Sequence, residues 1–547
     1  MKKYSWILLA FLLSNCGVKD DDQANADLVP GVTVLSSVQA ADPVEFESAR
    51  LMTEMMRQLG IDAVHRAMPW EQQADLVWYS RDQWQMTAWR FIGRPERLDP
   101  DEFVVNLFHS SVAEAGYNIV GYKNALYDSI ASMQRSLLDR EARRKVIHRA
   151  QEIIAEDLPY LYVAHPKRPV AFRSDMFDPK SVVEMDGVGV HNFWTWLGVK
   201  PLGEQKNIIA NTDNVIQGIN PLYISGEPDS RIVELLWDRL MRIGPDGVPE
   251  LWAAERVSWE NDTHVTVELK KNMRWHDGEP VTVDDVIFSF DAIMIGEAPM
   301  YKPFVDKIAG IQKLAENQIR FSLHEPWAAF ETACLAKVNI IPKHIWSPII
   351  EKLKNQPENA ESYQEDRPVG SGPFKFVAWK PSEEVILERN PEHFAAPQAE
   401  KWILRIIPNV ESALGQLRTG EINFLTEWEG DATILEQAVQ NSEEIAMVVS
   451  VEAGFRFFAL NLRRAPMDDP VFRKALAHAL PKEAIIKNIF KGFAVPANSY
   501  ISPALGFWRH DDLPEYEFDI ERAKAVLQAG GYRWDERNRL LRPSEKN

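Results

Sequence analysis

Met273-Arg274-Trp275-His276-Asp277-Gly278-Glu279-Pro280-Val281-Thr282-Val283-Asp284-Asp285-Val286 is the stretch from which the fold is read. Asp277-Gly278 is a tight-turn pair, the glycine supplying a positive φ at no steric cost. Thr282, with Asp285 three residues on, is a capping arrangement ahead of Val286, Ile287 and Phe288, so a helix is predicted to start there. A turn between strands that leads into a capped helix predicts a mixed α and β chain, and the flanks agree. Val32-Thr33-Val34-Leu35 reads as a strand. Leu51, Met52, Met55, Met56 and Leu59 then share one helix face, Gly60 stops the helix, and Ile61 to Val64 reads as the next strand, a βαβ-like unit. Val146, Ile147, Ala150, Ile153 and Ile154 mark a helix ended by Pro159. Asp469-Pro470 caps a helix running through Leu480, and Asp519 caps one ending at Gly530-Gly531.

A chain of 547 residues exceeds what one core usually organises, so two or more compact units are expected. The formal net charge of −19 argues against a nucleic-acid partner, because it offers no excess of cations to neutralise phosphates. Lys2, Lys3 and the apolar run Trp6 to Leu13 read as an export signal, too short to span a bilayer. Residues 1–27 are therefore read as a signal peptide and tether. Leu13-Ser14-Asn15-Cys16 resembles a lipobox, with Asn15 in place of the usual small residue; lipidation of Cys16 would anchor the chain to a membrane, and an ordinary signal peptide is the alternative. Cys334 is then left without a disulfide partner and is expected as a buried small hydrophobe.

Working outward from the opening stretch, several ordered blocks carry a family resemblance. They are Ile219-Asn220-Pro221, Ile224-Ser225-Gly226-Glu227-Pro228-Asp229-Ser230, Glu234-Leu235-Leu236-Trp237-Asp238-Arg239-Leu240 and Pro249-Glu250-Leu251-Trp252-Ala253. After the opening stretch come Pro368-Val369-Gly370-Ser371-Gly372-Pro373-Phe374 and Phe458-Ala459-Leu460-Asn461 with Arg473-Lys474-Ala475-Leu476. From Asn207 onward the chain resembles the family 5 solute-binding proteins, the peptide and nickel receptors of bacterial ABC importers. The resemblance implies a two-lobed α/β fold of the type II periplasmic-binding-protein class with a ligand cleft between the lobes.

The order of the blocks is unusual. Ala523 to Leu527 with Ala529-Gly530-Gly531-Tyr532 resembles the middle of the family's second lobe, while Met86-Thr87-Ala88-Trp89, Asp99-Pro100-Asp101-Glu102-Phe103, Gly116-Tyr117-Asn118 and Glu156-Asp157-Leu158-Pro159-Tyr160 resemble its later half. Together they make about one copy, so the chain is read as circularly permuted, with Leu197 to Gln205 as the joint. Residues 28–159 and 451–547 are expected to form the second lobe, and 160–450 the first, with a small subdomain at about 256–366. The hinge is expected near Pro159 to Val163 and near Glu452 to Leu460.

The resemblance implies a binding protein rather than an enzyme, one that captures an oligopeptide-like ligand and hands it to a permease and ATPase on separate chains. It implies a monomer at the cell envelope, on the periplasmic face, either lipid-anchored or soluble, with no cofactor. Ser225, Gly226 and Glu227 match the segment that meets the ligand, and Trp89 matches an aromatic of the cleft wall. The ammonium anchor falls on Glu96 by one count and on Ile92 by the other, while Arg90, Arg94 and Arg97 equally suit an anionic group. Nucleophile-elbow, zinc-protease, P-loop and dinucleotide motifs are absent, and the 12 His are scattered without metal-ligand spacing. The competing readings are an envelope hydrolase using two carboxylates, or a chaperone or signalling receptor on the same scaffold.

Overall fold

The computed structural model describes residues 27–93, 97–224, 226–294, 298, 301–353, 363–428 and 430–543. Cys16, Arg94, Glu96 and Ser225 lie outside the described residues.

Twelve strands form one mixed sheet. Its path runs Phe374–Lys380, Glu384–Arg389, Lys401–Ile406, Asn207–Thr212, Phe424–Leu425, Tyr160–Arg173, Phe455–Leu460, Met86–Phe91, Val32–Ser37 and Ala63–Met68. Ile445–Val451 and Ala494–Pro496 add to the long strand Tyr160–Arg173 off this path. That long strand belongs to both halves of the molecule. Its first residues pair antiparallel with Phe455–Leu460, from Tyr160 against Ala459 to Ala164 against Arg456. Its last residues pair with Ile445–Val451, from Lys167 against Val451 to Arg173 against Ile445. Glu452 to Gly454 carries the chain back between the halves, the Glu452 amide donating to Pro166 O at 2.9 Å. A Cβ on Gly454 would sit inside van der Waals contact of Phe91 O, so only glycine lets the strands approach so closely there.

Each half has its own interior. One buries Trp196, Ile208, Trp237, Phe374 and Trp402, and continues without a break into a four-stranded antiparallel sheet of Ile308–Ala315, Gln318–Leu323, His264–Leu269 and Ala254–Asn261. Cys334 is buried in that interior. The other half buries apolar side chains on both faces of its sheet, around Phe108, Tyr160 and Phe457 on one face and Met52, Phe458 and Leu476 on the other.

The beginning and the end of the described chain meet in this second half. Leu28 bridges Leu541, the Val29 amide donates to Leu540 O at 3.0 Å, and the Leu540 amide donates to Gly60 O at 2.8 Å. Val29, Val32 and Met56 share a core with Phe472, Leu527 and Leu540. The first two hundred residues are therefore no separate body. They complete the sheet and the interior that the last hundred begin.

Local chemistry sets the element ends. Asp469 accepts from the Val471 amide at 2.8 Å ahead of the helix Pro470–Ala479, and Asp519 accepts from Arg522 N at 2.9 Å ahead of Ile520–Ala529. Thr282 and Asp285 make the reciprocal cap before Val283–Met294, the Thr282 amide donating to Asp285 Oδ2 at 2.8 Å. Among the described residues no helix is long and apolar enough to cross a membrane.

Candidate functional site

A cavity of about 260 Å³ lies where the two halves face each other. Arg97, Glu102 and Tyr117 line it from one side, and Glu227, Tyr301 and Phe304 from the other. Two hydrogen bonds cross between the halves beside it. Thr332 Oγ1 donates to Asp99 Oδ2 at 2.9 Å, and the Ala328 amide donates to Arg135 O at 2.6 Å. Asp99 is also gripped by the Arg143 guanidinium, whose Nη1 donates to Oδ2 at 3.0 Å. Burial alone would raise the Asp99 carboxyl; Arg143 overrides that and holds it below the usual carboxylate range.

The walls are charged and aromatic. Arg97, Arg231, Arg239 and Lys337 contribute positive charge, against Glu102 and Glu227 among the described lining residues. Lys337 Nζ stands 4.3 Å from the centre of the Phe304 ring, and the Arg97 guanidinium 4.4 Å from that of Phe91. Arg239 is locked by Asn339 Oδ1 at 3.0 Å and Ala336 O at 3.1 Å. Such a surface suits a ligand with charged and apolar parts in one small molecule.

Glu227 opens the helix Glu227–Leu236, with Gly226 as the extended residue before it. Its Oε1 accepts from Arg168 Nη1 at 3.1 Å and from Arg231 Nη2 at 3.0 Å. Burial would raise the Glu227 carboxyl, but Arg168 and Arg231 drive it far below the usual range. Arg168, on the long shared strand, also meets Glu452 at 2.8 Å, so one guanidinium ties the lobe-facing helix to the crossing segment. Behind Glu227 stand His191 and Glu427, whose Nδ1 and Oε1 are 3.5 Å apart. Burial, and then Arg231, lower the His191 imidazole to about 3, so it is neutral.

Of the residues singled out in the sequence, Glu227 and Arg97 line this cavity, and Gly226 precedes Glu227 in the chain. Trp89 is 7% exposed on the strand Met86–Phe91 and lies tilted against Trp70 with ring centres 4.6 Å apart; it is not among the cavity-lining residues. Arg90 reaches toward Asp42, with Nη1 and Oδ2 3.4 Å apart. Sequence reading missed Arg168, Glu452, His191 and Glu427. They sit far apart in the chain, in no motif, and only the shared strand brings them together.

Comparison with known proteins now decides the family. Residues 248–546 match the profile of the bacterial extracellular solute-binding proteins, family 5 Middle, more than half of the chain. The chain belongs to this family. Among the relatives of this family 5 protein, the oligopeptide-binding protein AppA of Bacillus subtilis (strain 168) is 26% identical over 326 residues, 57% of each chain. The dipeptide-binding protein of Escherichia coli (strain K12) is 26% identical over 354 residues, covering 60% of this chain and 64% of the relative. The family 5 chain thus spans about three fifths of the length of these curated relatives. The crystal structure of NikZ from Campylobacter jejuni in complex with Ni(L-His) aligns with a TM-score of 0.50 at 23% identity, over 62% of this chain and 66% of that one. The shared fold is the two-lobed, type II periplasmic-binding-protein architecture, and the cavity is its inter-lobe cleft.

Proposed function

We propose that this family 5 protein is the solute receptor of an ABC importer, closing its lobes on an oligopeptide-like ligand and presenting the closed form to a membrane permease with a separate ATPase. The observation that carries this reading is the placement of the cavity. Both lobes line it, and hydrogen bonds join the lobes beside it, so a ligand touching both walls favours the closed state over the open one. The ligand's main chain would run along Gly226 and Glu227, with Ser225, Glu96 and Arg94 as the further contacts expected from the sequence. Its apolar side chains would rest on Tyr117, Tyr301 and Phe304. The relatives' names, an oligopeptide-binding and a dipeptide-binding protein, favour peptides as the cargo.

The lobes we assign are 28–159 with 451–547, and 160–450 including the small subdomain at about 256–366, in an order rotated relative to the family. Support comes from the seam between Leu28 and Leu541, which places the two ends side by side. Residues 1–27 would direct export, with Cys16 as the lipid-anchor site at the periplasmic face, and the protein would work as a monomer. A hydrolase reading finds little support in this cleft: Glu227, held ionised by two guanidinium groups, is unavailable as a general acid.

Native mass spectrometry of the purified protein, followed by calorimetric titration with mixed di- to hexapeptides, tests the proposal. Co-purified peptides or saturable binding supports it. Hydrolysis of the peptides, or no binding by protein shown to be folded and empty, overturns it.

A further inference from the structure

We propose that His191, Glu227 and Glu427 form a binding site for a divalent transition-metal ion of the zinc class, set behind the wall of the cleft. One donor atom from each of the three residues can be chosen so that all lie within 4.8 Å of one another. Donors on a tetrahedral zinc ion stand about 3.4 Å apart, given bonds of roughly 2.1 Å, so the widest pair must close by about 1.4 Å. His191 Nδ1 and Glu427 Oε1, 3.5 Å apart, already stand at that spacing.

His191 is the second, independent observation. It is 2% exposed, and neither ring nitrogen has a hydrogen-bond partner. Buried imidazoles ordinarily use at least one nitrogen, and one left idle needs an explanation. Glu427 Oε1 stands 3.5 Å from the His191 Nδ1, too long for a good hydrogen bond.

Asp213, Glu227, Glu234, Glu427 and Glu452 interact in one network with Arg168 and Arg231, while Arg242 also acts on Glu234 and Arg456 on Glu452. Both guanidinium contacts to Glu227 fall on Oε1, which leaves Oε2 as the oxygen for an ion. One imidazole with two carboxylates suits zinc, cobalt or nickel better than magnesium or calcium, which favour all-oxygen shells. Glu227 also lines the cleft, so the site adjoins the ligand cavity. The site is built wholly from side chains of this chain, and its existence does not depend on the peptide reading.

Zinc titration of the full chain after EDTA treatment, in the absence of peptide, tests the site. The expected result is one bound zinc, with His191→Ala and the near-isosteric Glu427→Gln each weakening binding by at least the roughly 100-fold that loss of a supporting partner can cost. Unchanged thermal unfolding of at least one variant shows that the loss is not misfolding, and an anomalous zinc peak between the three residues would place the ion. Failure of the native protein to bind zinc overturns the site, as does equal zinc binding by both variants. Peptide titration of the same samples reports on the transport reading separately.

Discussion

Glu365 shows how a single carboxyl couples stability to pH. It lies beside the Gly-rich turn, with Oε2 buried and without a partner, and burial raises its pKa to about 7. The unfolded chain titrates this group near 4.5. Between these values the native state holds the extra proton, so stability falls as pH rises from about 4.5 to about 7 and then levels. Glu365→Gln should remove that part of the slope and leave the variant relatively more stable at pH 7.5. Urea midpoints at pH 4.5 and 7.5 check it, and equal slopes for both proteins would refute it. Legibility at this scale was uneven. Gly226 and Glu227 could be singled out because they lie in a contiguous block. His191 was read as one scattered histidine, because what sets it apart is burial beside Glu427, and burial is not a property of local sequence.

Helices with polar caps could be read directly. Asp469-Pro470 predicts a helix to Leu480, and Pro470–Ala479 is found, since an Asp side chain over a proline start satisfies the first amides locally. Asp469 also accepts from Tyr532 Oη at 2.5 Å, which joins this helix to the far end of the chain. Asp469→Ala should therefore cost more than a simple cap, about 2–3 kcal/mol against the ~1 kcal/mol typical of one. Chemical denaturation measures the difference, with Tyr532→Phe isolating the second bond. Strands were less legible. Ile61 to Val64 was expected, but pairing runs over Ala63–Met68, because Leu59 to Ile61 close the preceding helix through amide bonds to Met55, Met56 and Arg57 carbonyls. At the crossing, Gly454→Ala would press a methyl onto Phe91 O and should destabilise by about 1–3 kcal/mol.

Among the described residues, the Thr332–Asp99 and Ala328–Arg135 hydrogen bonds join the lobes beside the cleft, so closure is sensitive to each. Thr332→Ala removes the donor from Thr332 Oγ1 to Asp99, a hydrogen bond of about 0.5–1.5 kcal/mol. Peptide affinity should weaken by roughly 2- to 12-fold, chiefly through faster release, while the unfolding midpoint stays near that of the native protein. Stopped-flow fluorescence checks this, and an unchanged release rate would show that the bond does not restrain opening. Chain order gives a second expectation. Joining residue 543 to residue 27 and reopening between Gly203 and Glu204 should yield a protein with the same circular dichroism and ligand binding, since the present ends already pair through Leu28 and Leu541. Failure of that protein to fold would show that the present order is required.

Sequence alone determined the scaffold: turn glycines, helix caps and ordered blocks act over a few residues, and their physics is complete within the segment that carries them. Only the tertiary structure decided what stands at and behind the cleft wall. Arg168, His191, Glu227, Glu427 and Glu452 acquire their pairing, and His191 and Glu227 their shifted protonation, only once the long shared strand has brought scattered segments together, an effect of distance and desolvation.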